Sequence, residues 1–457
     1  MKDLTKGPVG GHVVQLATFI ALTMAFQTLY FLADLYFVGR LGKEAVAGVG
    51  LAGNLMFIVL ALTQSMSVGA TSLISQSLGR KDHAQAQLFF NQATALSNLT
   101  GVAFGLLFFA MRGAYARRLA ADAVTAELGV QYLTWFVPAL FLQFPLVIMG
   151  AALRAMGDMK LPTLIQVATV LVNIALAPVL MFGWGTGRPL GVAGAAIASL
   201  IAVGLACVAF VLYFRRPSSP IRFDLAEWTP QPRLWWAMLR IGIPAGGEFA
   251  LVSVYMVLVY DIIRPFGAAA QAGFGIGIRV VQALFLPTVA IAFAAAPVAG
   301  QNYGAGLGPR VKQTFYAGAS MCAAIMLSLT LLCQIAPAGM IRFFNADPGV
   351  VAYGSEYLRI GCWNFLASGI VFVSSSVFQG MGNTLPPLAA SALRVLFFAL
   401  PAYAIAQQPG FQLRQVWYVS VASVTIQLAV NLWLLHREFA RKLPRTAPAT
   451  AEPAAAT

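Results

Sequence analysis

A handful of side chains in this sequence could do chemistry, and they stand inside otherwise apolar runs. Asp34 is the clearest. It closes the stretch Gln27-Thr28-Leu29-Tyr30-Phe31-Leu32-Ala33-Asp34, and in a helix Gln27 and Asp34 lie two turns apart on one face. A carboxylate in apolar surroundings costs several kcal/mol unless it is paired, protonated or facing water. Such a group can exchange a proton and attract a cation. A second polar stripe, Gln166, Asn173 and Ala177, recurs at helical spacing beside Pro178. Amides there can hydrogen-bond a ligand or hold helices together. Ser199 ends the small-residue run Gly191 to Ser199, which lets helices approach closely. Farther on, Glu248 follows Pro244 by four residues and is placed to line an inner cavity. Asp261 and Arg264, one turn apart, are expected to pair near a membrane surface.

Other chemistries find no footing. His12, His83 and His436 are far apart, and Cys207, Cys322, Cys333 and Cys362 sit in apolar stretches without metal-ligand spacing. No catalytic residue and no metal site follows from them. No Walker sequence appears, so no nucleotide cofactor is expected and the energy source is an ion gradient.

The elements that position these residues are set by composition. Of 457 residues, 59% are hydrophobic and 10% are charged, far too few charges for a water-soluble surface. The net charge of +14 falls in short clusters between apolar runs rather than in a stripe with aromatics, which argues against nucleic acid. Twelve runs are long enough to span lipid: 12–38, 47–75, 88–111, 130–153, 162–184 and 190–214, then 235–264, 272–299, 313–338, 355–380, 387–408 and 412–436. Backbone groups in lipid must be satisfied within the segment, so the runs are helices. The first run is too long for a cleaved leader. The fold expected is an all-α integral membrane protein: an amino-terminal six-helix lobe (1–214), a cytoplasmic linker (215–233), a carboxyl-terminal six-helix lobe (234–436) and a disordered tail (437–457). Lys and Arg are about twice as frequent in the loops on the side of the termini, among them Arg80, Lys81, Arg154, Lys160, Arg215 and Arg310. That bias places both termini in the cytoplasm.

The halves also repeat. Gly42, Ala47, Gly48 and Gly50 recur as Gly267, Ala272, Gly273 and Gly275, and Gln76 and Gly79 as Gln301 and Gly304. Met156-Gly157-Asp158 recurs as Met381-Gly382-Asn383, all at a displacement of 225 residues. Leu161-Pro162 matches Leu385-Pro386 with one residue omitted. Six spans per repeat relate the lobes by an axis along the membrane normal, an arrangement suited to alternating access.

These residues resemble the multidrug and toxic compound extrusion (MATE) family. The carriers are Gln27 through Asp34, Phe37-Val38-Gly39-Arg40-Leu41-Gly42, Gln76-Ser77-Leu78-Gly79-Arg80, Leu153-Arg154-Ala155-Met156-Gly157-Asp158, Asn173-Ile174 and Gly191 through Ser199. The resemblance covers about residues 12–436 and leans to the DinF-like branch. It implies two lobes in a V and export of drugs or metabolites, often cations, against protons or sodium. It further implies cation coupling at Asp34 with Asn173 and Gln27. Substrate contacts are then expected at Asp34, Gln27, Gln166, Asn173, Ser199 and Glu248. Two departures bear on this. Ala177 stands where many relatives carry a second aspartate, and a carboxyl-terminal aspartate position falls near Ser368. Proton coupling through Asp34 is therefore favoured over sodium. The expected setting is the cell (inner) membrane, as a monomer among lipids, with small-molecule drugs as partners. The rival readings are a flippase for lipid-linked precursors and a membrane-embedded transferase.

Overall fold

Each apolar run forms a helix, because lipid offers its backbone groups no other partner. The computed structural model describes residues 2–185, 187–217 and 219–443, and among them there is no strand. The first half holds α1 (Val9–Gly39), α2 (Lys43–Gly79), α3 (His83–Leu119), α4 (Ala123–Ala155), α5 (Lys160–Phe182) and α6 (Gly191–Phe214). The second holds α7 (Pro232–Ile263), α8 (Ala268–Gly304), α9 (Gly308–Ile335), the short α10 (Pro337–Arg342), α11 (Pro348–Gly361), α12 (Asn364–Gly380), α13 (Leu385–Ala406) and α14 (Leu413–Lys442). Eleven are long and apolar enough to cross a membrane, and α11 with α12, bent by 55°, makes a twelfth span. The chain is a multi-pass membrane protein. Several helices outrun their apolar cores because polar residues extend them beyond lipid. Asp82, for instance, caps α3 by accepting from the Gln85 amide at 2.9 Å.

The duplication is visible in the helix bounds. Residues 43–79 and 268–304 bound α2 and α8, while 123–155 and 348–380 bound α4 and the bent α11–α12 pair. The caps repeat as well: Asp122 and Asp347 each accept from the amide three residues on, at 2.8 and 2.9 Å. Because α5 and α13 start at 160 and 385, the 225-residue displacement persists there too. Pro387 is therefore the partner of Pro162, and no residue is omitted.

Within each lobe the pairings match: α2 packs on α4 as α8 packs on α11 and α12, and α5 on α6 as α13 on α14. The first helix of each lobe bridges to the other. α1 packs on α8 and α9 as well as on α5 of its own lobe, and α7 packs on α2 as well as on α13. These contacts come from the helix halves nearest the termini. There Val9, Val13, Leu16 and Ile20 share one apolar core with Ala290 to Ala299, Phe315 and Leu435.

The tightest approach lies at the same face, called here the terminal face. A Cβ on Gly79 would collide with the Gln301 carbonyl, and one on Gly304 with the Gln76 carbonyl. Only glycine lets these two backbones meet. Each glutamine then reaches the end of the other lobe's fourth span. Gln76 Nε2 donates to the Gly380 carbonyl at 2.8 Å, and Gln301 Nε2 to the Ala155 carbonyl at 2.6 Å. Ahead of α1, the Leu4 amide donates to Gln301 Oε1 at 2.9 Å and the Lys2 amide to the Met156 carbonyl at 3.0 Å. Leu4 itself is fully buried.

Two boundaries differ from expectation. The linker is fastened rather than loose. A 3-10 turn (Leu225–Trp228) sits against α3, where Asn91 Nδ2 donates to Glu227 Oε2 at 2.7 Å and to the Arg222 carbonyl at 3.0 Å. Gln92 Nε2 donates to the Thr229 carbonyl at 2.8 Å. Likewise residues 437–442, read as the start of a tail, continue α14. Buried Glu438 holds that turn by pairing with Arg441 at 3.0 Å and Lys442 at 2.9 Å, and it accepts from Asn383 at 2.8 Å. The remainder of the expected tail, residues 444–457, lies outside the described residues.

Candidate functional site

Between the helices of the amino-terminal lobe and the inner ends of α8 and α12 lies a cavity of about 480 Å³. Helix spacing decides who faces it. From α1 come Thr23, Gln27, Tyr30 and Asp34, which advance by three or four residues along one stripe. Gln166 enters from α5 and Ser199 from α6. Ser199 can reach the cavity because its helix packs closely on α5: Gly194 lies against the Leu180 backbone, where a side chain would not fit.

The polar groups form a short chain. Tyr30 Oη and Ser199 Oγ are 2.7 Å apart, and Asn173 Nδ2 donates to the same hydroxyl at 3.3 Å. Asn173 thus stands behind Ser199, fully buried, rather than on the cavity wall. Asp34 lies one turn beyond Tyr30, and its Oδ1 is buried without a hydrogen-bond partner. The four ion pairs among the described residues are elsewhere, so no cation neutralises Asp34. Chemically this is a solitary carboxyl in a pocket that a proton or an organic cation could occupy. Ala177 is fully buried and adds no second acid to the lobe. Among the described residues no group of His, Cys, Asp or Glu is placed to hold a metal.

The family model named MatE matches this chain twice, over residues 20–179 and 244–404, one match for each repeat. The chain belongs to the MatE family. Among curated proteins similar to it, the probable multidrug resistance protein YoeA of Bacillus subtilis is 24% identical over 417 residues, covering 90% of this chain and 89% of the relative. A FAD transporter of Shewanella oneidensis is 23% identical, covering 89% and 90%. Among solved structures, an outward-facing multidrug resistance MATE family transporter of the MOP superfamily superposes with a TM-score of 0.87 at 22% identity, over 97% of this chain and 98% of that one. The twelve-helix MATE fold read from the sequence is thereby shown.

Within that MATE fold, the sequence-derived site divides. Gln27, Asp34, Gln166 and Ser199 share the cavity, and Asn173 supports it from behind. Glu248 does not line it. α7 crosses α2 so closely at Gly242 and Gly246, against Ser65, that Glu248 is carried to the far side of that contact. There it accepts from Ser375 of α12 at 3.4 Å. Asp261 also departs from expectation: its carboxylate accepts from Tyr403 at 2.7 Å, and no ion pair joins it to Arg264. Arg154, counted from the sequence as a loop charge, belongs to the last turn of α4 and faces the cavity.

Proposed function

We propose that this chain is a secondary antiporter that exports small organic compounds, often cationic, in exchange for protons taken up at Asp34. The observation that supports this most is the solitary Asp34 carboxyl, buried at one oxygen and set in the wall of a cavity large enough for a drug-sized molecule. A proton and a cation cannot both be favoured at one carboxyl, so each weakens the other. That differential affinity is what couples two fluxes. Tyr30, Ser199 and Asn173 orient the site, and Gln27 and Gln166 offer amides to the cargo. A probable multidrug resistance protein and a FAD transporter among the similar proteins support small organic cargo. We place both termini in the cytoplasm of a cell (inner) membrane from the excess of basic residues on the terminal face, with the chain acting as a monomer among lipids.

The test is ethidium efflux from proteoliposomes under an imposed proton gradient, a sodium gradient, or neither. A proton gradient is expected to drive efflux and Asp34→Asn to abolish it, with ethidium binding still measurable. Sodium-driven efflux, or wild-type efflux from the Asn variant, overturns the reading.

A further inference from the structure

The cavity has a second charged group that the antiport reading does not use. Arg154 Nη2 donates to Ser67 Oγ at 2.7 Å, and among the described residues no carboxylate lies within ion-pair distance of it. Asp158, the acid nearest in sequence, instead accepts from the Lys160 amide at 3.1 Å. A neutral hydroxyl cannot offset a guanidinium, which carries five N–H donors in a planar fork. An unpaired arginine within a membrane protein is costly and by default functional. Here it stands at the wall of the proposed cargo path.

The internal repeat shows that the fold does not demand this charge. The position equivalent to Arg154 is Gln379, which faces the same cavity from the other lobe. One repeat fills the place with a neutral amide and the other with a cation. The two charges in the cavity are also well separated. Tyr132, near Asp34, and Arg154 are both on α4, roughly 30 Å apart at 1.5 Å per residue. The cavity therefore has an acidic end, away from the termini, and a basic end under the terminal-face contacts.

Taking the cavity as the cargo path, the geometry points to Arg154 as an oxyanion-recognising residue that receives the carboxylate or phosphate of an organic amphiphile. The fork geometry matches such groups bidentately, which a lysine cannot do. Cargo then includes zwitterions and organic anions as well as cations, each held at the end that complements it. The oxyanion can come from a dissolved solute or from a lipid headgroup.

The experiment compares fluorescein, which carries a carboxylate, with ethidium, a cation of similar size. Binding of each is followed by fluorescence anisotropy to the full chain in phosphatidylcholine nanodiscs. Arg154→Gln is expected to weaken fluorescein by about tenfold or more, while ethidium binds as before or more tightly. Arg154→Lys is expected to fall between wild type and Gln for fluorescein. Undiminished fluorescein binding in Arg154→Gln overturns the proposal, and so does an equal loss of both dyes, which marks a structural role. Repeating the titration in lipid-free dodecyl maltoside micelles and then adding phosphatidylglycerol separates the two sources. Competition that Arg154→Gln removes assigns the site to a headgroup, and absence of competition assigns it to a soluble anion. Equilibrium binding needs no gradient. Failure of coupling at Asp34 thus leaves this result standing, and failure here leaves the ethidium efflux test untouched.

Discussion

Replacing Gln301 with Leu is expected to open the terminal face. The side chain is 2% exposed and makes two hydrogen bonds there, accepting from the Leu4 amide and donating to the Ala155 carbonyl. Leucine nearly keeps its volume but leaves both backbone groups buried without partners. Each orphaned group costs about 1–3 kcal/mol. The cost falls only on the closed arrangement, because water satisfies the same groups once the lobes part. The closed state therefore loses about 2–6 kcal/mol relative to the open one, roughly thirtyfold in population at the lower end. Gln76→Leu removes one such cross-lobe bond, to Gly380, and is expected to shift the balance by about half as much. Electron–electron distance measurements between spin labels at exposed Ala84 and Lys312, in a cysteine-free background, read this directly. A longer-distance population is expected to grow in the order wild type, Gln76→Leu, Gln301→Leu. An unchanged distribution in both variants would refute the reasoning, even if thermal stability dropped.

Two further outcomes follow from features outside the cavity. Asn91→Leu strips the linker of its anchor, leaving the Arg222 carbonyl, the Asp224 amide and Trp228 Nε1 unpaired. Trypsin is expected to cut residues 215–233 far faster in the variant than in wild type, with stability lower by about 1–2 kcal/mol. Asp122 caps α4, and the Thr125 amide and hydroxyl hold its carboxyl below the usual carboxylate value. Its contribution is therefore present above the unfolded value of about 3.9 and is lost as pH falls through the lower folded value. A melting-temperature gap between wild type and Asp122→Ala at neutral pH is expected to close in acid, and a gap that persists there would contradict the capping role.

Much of this architecture was legible in the residues because lipid permits few alternatives. The twelve spans and the 225-residue repeat follow from run lengths and recurring glycines. What the recurrence meant was not legible. Gln76 with Gly79 and Gln301 with Gly304 read as matching letters, and only the crossing of α2 and α8 shows each pair serving the other. Asp34 is conspicuous as a lone acid in an apolar run, Gln27 and Gln166 follow from helical spacing, and Ser199 from its place at the end of the small-residue run. Arg154 reads as a loop charge because the apolar run ends at 153, before the helix does. Glu248 falls outside this cavity because spacing along α7 gives its depth but not which side of the α2 crossing it faces. Asn91 and Gln92, which hold the linker, stand in no recurring motif of the sequence. Two adjacent amides near the start of the third apolar run are the available signal.

The Leu4 amide and the Gln301 side chain that receives it are 297 residues apart in sequence. A ribosome adding ~5–20 residues per second needs roughly 15–60 s to cover that stretch. For that interval Leu4 and the stripe Val9, Val13, Leu16 and Ile20 have emerged while the surface they are made for does not yet exist. The first helix must wait in lipid, or under a helper's cover, until α8 and α9 are threaded. Assembly of this chain is thus a matter of holding its beginning available for its later half.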